Sequence, residues 1–152
     1  MNSWIVIDSG VYIASVVEET HTEKADSLLA WIEEQAMRIA APTLLRYEVA
    51  ATLRKLAHRG SITPGDSARM LTQILGNAID LVIDDRLITR AYELATEHGL
   101  PSAYDAQYLA LAERLDCALW TFDKRLFNTV RERLHRVYYV PDFVTPSPQN
   151  EA

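Results

Sequence analysis

The chain has 152 residues, enough for one domain that buries about two thirds of its unfolded surface, and its 49% hydrophobic and 24% charged residues exclude wholesale disorder. Its 15 lysines and arginines stand against 21 acids, and a net charge of −6 argues against a general nucleic-acid coat protein. The first apolar run stops after four residues at Asp8, and Cys117 is the single cysteine, so no membrane span, secretory leader or internal disulfide is expected and the protein is placed in the cytoplasm.

Trp4-Ile5-Val6-Ile7 predicts a buried strand over 4–8 that reaches the sheet edge at Asp8. Helices are expected over 11–18 and 22–36, then a strand over 38–41 and a helix over 43–59. At about 100° per residue, Leu45, Glu48, Val49, Thr52 and Leu56 share one side of that helix, which sets Glu48 in or beside the stripe facing the core. Gly60, Pro64-Gly65 and Gly76 bound a helix over 64–76, followed by a strand over 79–83. Asp84-Asp85 starts a helix over 85–98, and Gly99-Leu100-Pro101 stops it. The next helix, 104–115, carries Asp105 in line with Tyr108, Leu109 and Ala112. Ala118-Leu119-Trp120-Thr121-Phe122 predicts a strand over 117–121 that ends at Asp123, and a helix over 124–133 and a strand over 136–140 close the fold. From Pro141 the chain has little to bury, so a loose segment is expected, with Asp142 a loop acid, and the domain is drawn as 1–144 with a tail at 145–152. Strands alternating with helices predict an α/β fold on a mostly parallel sheet.

Open parallel sheets bind ligands outside the carboxyl ends of their strands. Asp8 and Asp123 are expected there, and Glu48 and Asp105 can converge on the same edge. A buried lone carboxylate normally protonates, whereas a bound divalent cation reverses that preference. Acids without histidine or thiolate suit Mg²⁺ or Mn²⁺. The histidines, His21, His58, His98 and His135, lack metal-ligand spacing, and no G-x-G-x-x-G, G-K-[ST] or G-x-S-x-G is present. The competing reading of Asp8, Asp105 and Asp123 is helix capping, and that of Glu48 is an ion pair with Arg46 or Arg54. Ser9 and Thr121 neighbour two of the acids and offer hydroxyls to a carboxylate. Between Lys124 and Arg136 five bases face Glu132 alone, and 46–59 also leans basic, so phosphate contact is expected beside the acids.

The pattern Ile5-Val6-Ile7-Asp8-Ser9, Tyr47-Glu48-Val49, Tyr104-Asp105-Ala106-Gln107-Tyr108-Leu109-Ala110-Leu111-Ala112 and Leu119-Trp120-Thr121-Phe122-Asp123-Lys124-Arg125-Leu126 resembles the PIN-domain ribonucleases, and within them the VapC toxins of toxin-antitoxin modules. The resemblance implies a three-layer α/β/α sandwich, an acidic quartet of Asp8, Glu48, Asp105 and Asp123 holding Mg²⁺ or Mn²⁺, and RNA phosphodiester hydrolysis. It also implies a VapB-type antitoxin partner and a homodimer, with Leu28, Leu29, Trp31 and Ile32 a candidate antitoxin surface. Arg54, Arg125 and Arg131 are the expected RNA contacts. The family often carries Ser or Asn two residues after its first Asp, where this chain has Gly10, so support of Asp8 is expected from Ser9 or a water. Rival readings are a PIN-fold RNA-processing nuclease that is not a toxin, a non-catalytic RNA- or partner-binding module, and an aspartyl phosphotransferase. The last needs a second Asp at Gly10.

Overall fold

Ile5, Val6 and Ile7 are apolar without alternation, as a strand covered on both faces requires. In the computed structural model, which describes residues 3–147, all three are buried in the strand at the middle of the sheet. The strands are β1 Trp4–Ile7, β2 Arg38–Pro42, β3 Asp80–Val82, β4 Ala118–Thr121 and β5 Val137–Tyr139. The helices are α1 Ser9–Val16, α2 Thr22–Glu34, α3 Leu44–His58, α4 Pro64–Leu75, α5 Asp85–Glu97, α6 Ala103–Leu115 and α7 Lys124–Val130. Every expected element forms, with ends displaced by at most three residues. The sheet runs β3-β2-β1-β4-β5, parallel throughout, and Val6 sits opposite Ala40 on one side and Leu119 on the other.

Strand order reverses between β1 and β4. At such a switch point two neighbouring connections leave in opposite directions and open a crevice at the carboxyl ends. Asp8 and Asp123 follow the two strands that flank it. Layers of helices cover both faces: α6 lies across β1, β2 and β4 with α5 on its outer side, while α1 packs with α2 and α3, and α4 packs on α3.

Two expectations fail. The chain is not loose from Pro141: Val140–Asp142 forms a 3-10 turn that includes Asp142, and Phe143 is 3% exposed. Phe143 meets Trp31 and, edge-on, Trp120, and Lys24 Nζ donates to its carbonyl at 2.6 Å. One buried aromatic ring outweighs the turn-forming residues around it. Of the expected tail at 145–152, residues 148–152 lie outside the described residues. The second fails in part, on α2: Leu28 and Ile32 of the candidate antitoxin surface are core residues, while Leu29 and Trp31 are half-buried, Trp31 with its ring centroid 5.8 Å from that of Phe143. Half of that stripe is therefore taken up by the fold itself. Cys117 is buried and free, and burial pushes its thiol up to about 11, in keeping with packing rather than nucleophilic chemistry.

Candidate active site

Asp8 leaves β1 in an extended conformation at the N-cap position of α1, yet its side chain makes no capping bond. It turns across the switch point instead. Its Oδ2 accepts from the Thr121 hydroxyl and, at 3.2 Å, from the Phe122 N–H, while Oδ1 is buried with no hydrogen-bond partner. Burial pushes the carboxyl up to about 7; the Thr121 and Phe122 donors, and to the least extent the Val11 N–H, oppose that rise, and the charge of Glu48 adds to it.

Glu48 stands in the second turn of α3, half-buried, and its Oε1 accepts from the Tyr108 hydroxyl at 2.6 Å. Among the described residues it forms no ion pair with Arg46 or Arg54. Its carboxyl lies above the ordinary range because of burial first and the neighbouring Asp105 second, with the Tyr108 hydroxyl pulling the other way. Asp105 lies in the first turn of α6, where Ser102 rather than Asp105 caps the helix through the Tyr104 N–H. Burial, and then the charge of Asp123, raise it as well. Asp123 alone among the four is a cap: its Oδ1 accepts from Leu126 N–H at 3.0 Å, and its own N–H donates to Thr121 Oγ1 at 2.9 Å. The capping alternative therefore holds for Asp123 only, and the ion-pair alternative for Glu48 does not hold among the described residues.

The acids arrive from four elements and repel along one line, Asp8 to Glu48 to Asp105 to Asp123. Among the described residues no three His, Cys, Asp or Glu side chains are drawn into a closed metal cage. What the site offers a cation is an all-oxygen donor set and the unpartnered, buried Asp8 Oδ1, which suits a hard divalent ion.

Support of Asp8 comes from Thr121 and Phe122, not from Ser9, whose hydroxyl contacts Tyr108. A Cβ at Gly10 would stand 3.2 Å from Phe122 Cβ and 3.3 Å from Asp8 Oδ1, so Phe122 occupies the room a longer residue would need. Tyr108 is the functional neighbour that sequence reading assigned only to packing. Its place one turn after Asp105 on the same helix face was the available signal. Of the three arginines, Arg125 follows Asp123 by two residues, Arg131 sits past the far end of α7, and Arg54 lines a recess between α3 and α4.

Thr121 is fully buried and ties β4 to both flanking acids. Thr121→Val, nearly the same shape, is expected to destabilise the protein by about 1–3 kcal/mol in urea unfolding, because it strips a donor from Asp8 and an acceptor from Asp123 N–H. Thr121→Ser should cost less. A larger loss for Thr121→Ser than for Thr121→Val would assign the effect to the methyl group.

A family model for the PIN domain matches residues 5–132. The chain is 32% identical to Ribonuclease VapC3 of Pyrobaculum aerophilum over 124 residues, 80% of this chain and 91% of that one. It is 35% identical to Ribonuclease VapC9 of Mycobacterium tuberculosis over 125 residues, 82% of this chain and 90% of the other. Among solved structures, a Pyrobaculum aerophilum protein superposes with a TM-score of 0.65 at 23% identity, covering 90% of each chain. A toxin-antitoxin complex from Klebsiella pneumoniae also gives 0.65, at 18% identity, covering 90% of this chain and 97% of that one. These two structures speak to the fold.

Proposed function

The chain belongs to the PIN-domain family, and from that premise we propose that it is a VapC-type ribonuclease, the toxin of a toxin-antitoxin pair, which hydrolyses RNA phosphodiesters with a divalent cation held by Asp8, Glu48, Asp105 and Asp123. The observation that carries the cation is Asp8 Oδ1, buried and unpartnered, on a carboxyl that already feels the charge of Glu48. Left without a counter-charge, such an oxygen costs free energy at neutral pH.

A bound Mg²⁺ or Mn²⁺ lowers the pKa of an attacking water and stabilises the leaving oxygen. The chain's own residues hold and orient. Thr121 and the Phe122 N–H fix Oδ2 of Asp8, which leaves Oδ1 as the donor for the ion. Tyr108 fixes Oε1 of Glu48, leaving Oε2, and Ser102 releases Asp105 from capping. Asp123 divides its carboxylate between the α7 N-terminus and the site. Arg125 and Arg131, on and just past α7, with Arg54 on α3, steer the RNA backbone.

A VapB-type antitoxin and a second copy of the chain are the proposed protein partners. An apolar cleft of about 270 Å³ supports a protein-covered surface: Tyr47, Ile83, Ile88 and Tyr104 line it and are more than half exposed.

Purified protein is expected to cleave RNA with Mg²⁺ or Mn²⁺, to stop in excess EDTA, and to resume when the metal is restored. Undiminished cleavage in chelator, against a mock purification that cleaves nothing, would remove the metal from the mechanism.

A further inference from the structure

Where β4, β5 and the end of α7 meet, a recess of about 250 Å³ opens whose walls include none of the four acids. Its floor is aromatic. Trp120 and Tyr138 face each other in the β4/β5 register and stack with ring centroids 4.9 Å apart at 21°. Tyr139 stacks on Phe127 at 5.6 Å, and the Arg131 guanidinium stands 5.9 Å over the Phe127 ring. Arg131 and His135 are exposed at the mouth, and Tyr138 keeps 44% of its surface in water.

A tyrosine on an edge strand that needed only to fill core would not leave so much of its ring solvated. Ring faces set beside exposed cations are the chemistry of a platform for single-stranded nucleic acid, in which bases stack and the backbone pairs with positive charge. The charge around the recess agrees. Arg136 is engaged by Asp116 and by two carbonyls. Lys124, Arg125, Arg131 and Arg133, along and just past α7, are exposed and in no ion pair among the described residues; of these Arg131 lines the recess, together with His135 and one acid, Asp142. The acidic edge and the recess stand at opposite ends of α7. Asp123 caps α7, and the seven residues of that helix span about 10 Å before Arg131.

We infer that this recess is a subsite for an unpaired nucleotide of the RNA, away from the scissile bond: the base stacks on the exposed Tyr138 ring, which the half-buried Trp120 backs, and its phosphate meets Arg131 and His135. The inference rests on the reading of the chain as a ribonuclease. It gives the enzyme a hold on unpaired RNA beyond the phosphodiester it cuts.

The test uses the intact protein and a fluorescein-labelled single-stranded RNA. Anisotropy is read in EDTA, so that nothing is cut, and steady-state cleavage is read in Mn²⁺. Tyr138→Ala and Arg131→Ala should each weaken binding about tenfold, and Tyr138→Phe, which keeps the ring face, should restore it. Arg131→Ala should also lower the slope of log affinity against log salt by about one, as loss of one phosphate contact requires. In cleavage the loss should fall on KM more than on kcat. If wild type cleaves RNA while both variants bind and cleave as it does, the subsite is overturned and the ribonuclease reading stands. If wild type neither binds nor cleaves RNA, the reading beneath it has failed. Should Tyr138→Ala prove unfolded by circular dichroism, Tyr138→Leu, which keeps the bulk and loses the ring face, takes its place, and wild-type binding by it overturns the subsite. Variants that keep RNA affinity but lose a co-expressed antitoxin would make the recess a protein surface and overturn the inference.

Discussion

Asp8→Asn is expected to fold and to lose RNA cleavage by roughly 10²- to 10³-fold, the scale on which removing one preorganised electrostatic partner acts. The asparagine carbonyl can still accept from Thr121 and from the Phe122 N–H, so the crossing from β1 to β4 survives. What disappears is the charge on the oxygen that has no protein partner. Because that charge is unfavourable in the absence of metal, the variant's metal-free melting temperature should equal or exceed that of wild type. A plain cap would behave otherwise, since its loss typically costs about 1 kcal/mol. Asp105→Asn should resemble Asp8→Asn in activity. Asp123→Asn should be milder, since asparagine also caps α7. Turnover near wild type for Asp8→Asn, with bound metal confirmed, would mean that Asp8 is not a ligand.

The metal-free protein is expected to lose stability as pH rises from about 5 to about 8. Asp8 has an ordinary carboxyl pKa of 3.8 when unfolded and about 7 when folded, so between those values the folded state binds more protons. Stability then falls with rising pH until the folded pKa is passed. Glu48 and Asp105 are raised too and act in the same direction. Asp84, held low by the Arg86 N–H, and Glu113, held low by Arg90, act the opposite way near pH 4, below this window. The loss from the raised group is on the order of a few kcal/mol, or roughly 10 °C in melting temperature for a domain of this size. Millimolar Mn²⁺ should recover it at pH 8 and do little at pH 5, where protons occupy the same oxygens. The measurement is a set of thermal melts across pH with and without metal. A flat metal-free profile would show that Asp8 is solvated enough to ionise freely.

The architecture was legible because its signals are local and repeated: Ile5-Val6-Ile7 can only be covered on both faces, and each helix is punctuated by residues that stop it. The acids were legible for a related reason, since a carboxylate on a core stripe or after a buried strand has few structural uses. What joins them was not. Thr121 reaches Asp8 across 113 residues of sequence, and Tyr108 reaches Glu48 across 60. Neither bond has a period or a spacing. Phe143 was missed on the same ground, since its partners Trp31 and Trp120 are distant in the chain and the residues around it are those of a turn. The crowding at Gly10 was equally hidden, since Phe122, whose Cβ would stand 3.2 Å from a Cβ added there, follows another strand.

The bond from Thr121 to Asp8 also has a meaning in time. A ribosome delivers β1, α3 and most of α6 before β4 exists, so Asp8, Glu48 and Asp105 are all synthesised before the hydroxyl and the N–H that hold Asp8 in place. N-terminal segments begin to fold as they emerge. This sheet, however, has an early strand at its centre and a late one beside it, so the crevice cannot close on a nascent chain. A fragment released early would carry three of the four acids and no β4 to orient the first of them. The order of translation thus leaves Asp8 without its two donors until β4 has been made, after Glu48 and Asp105 are already in place.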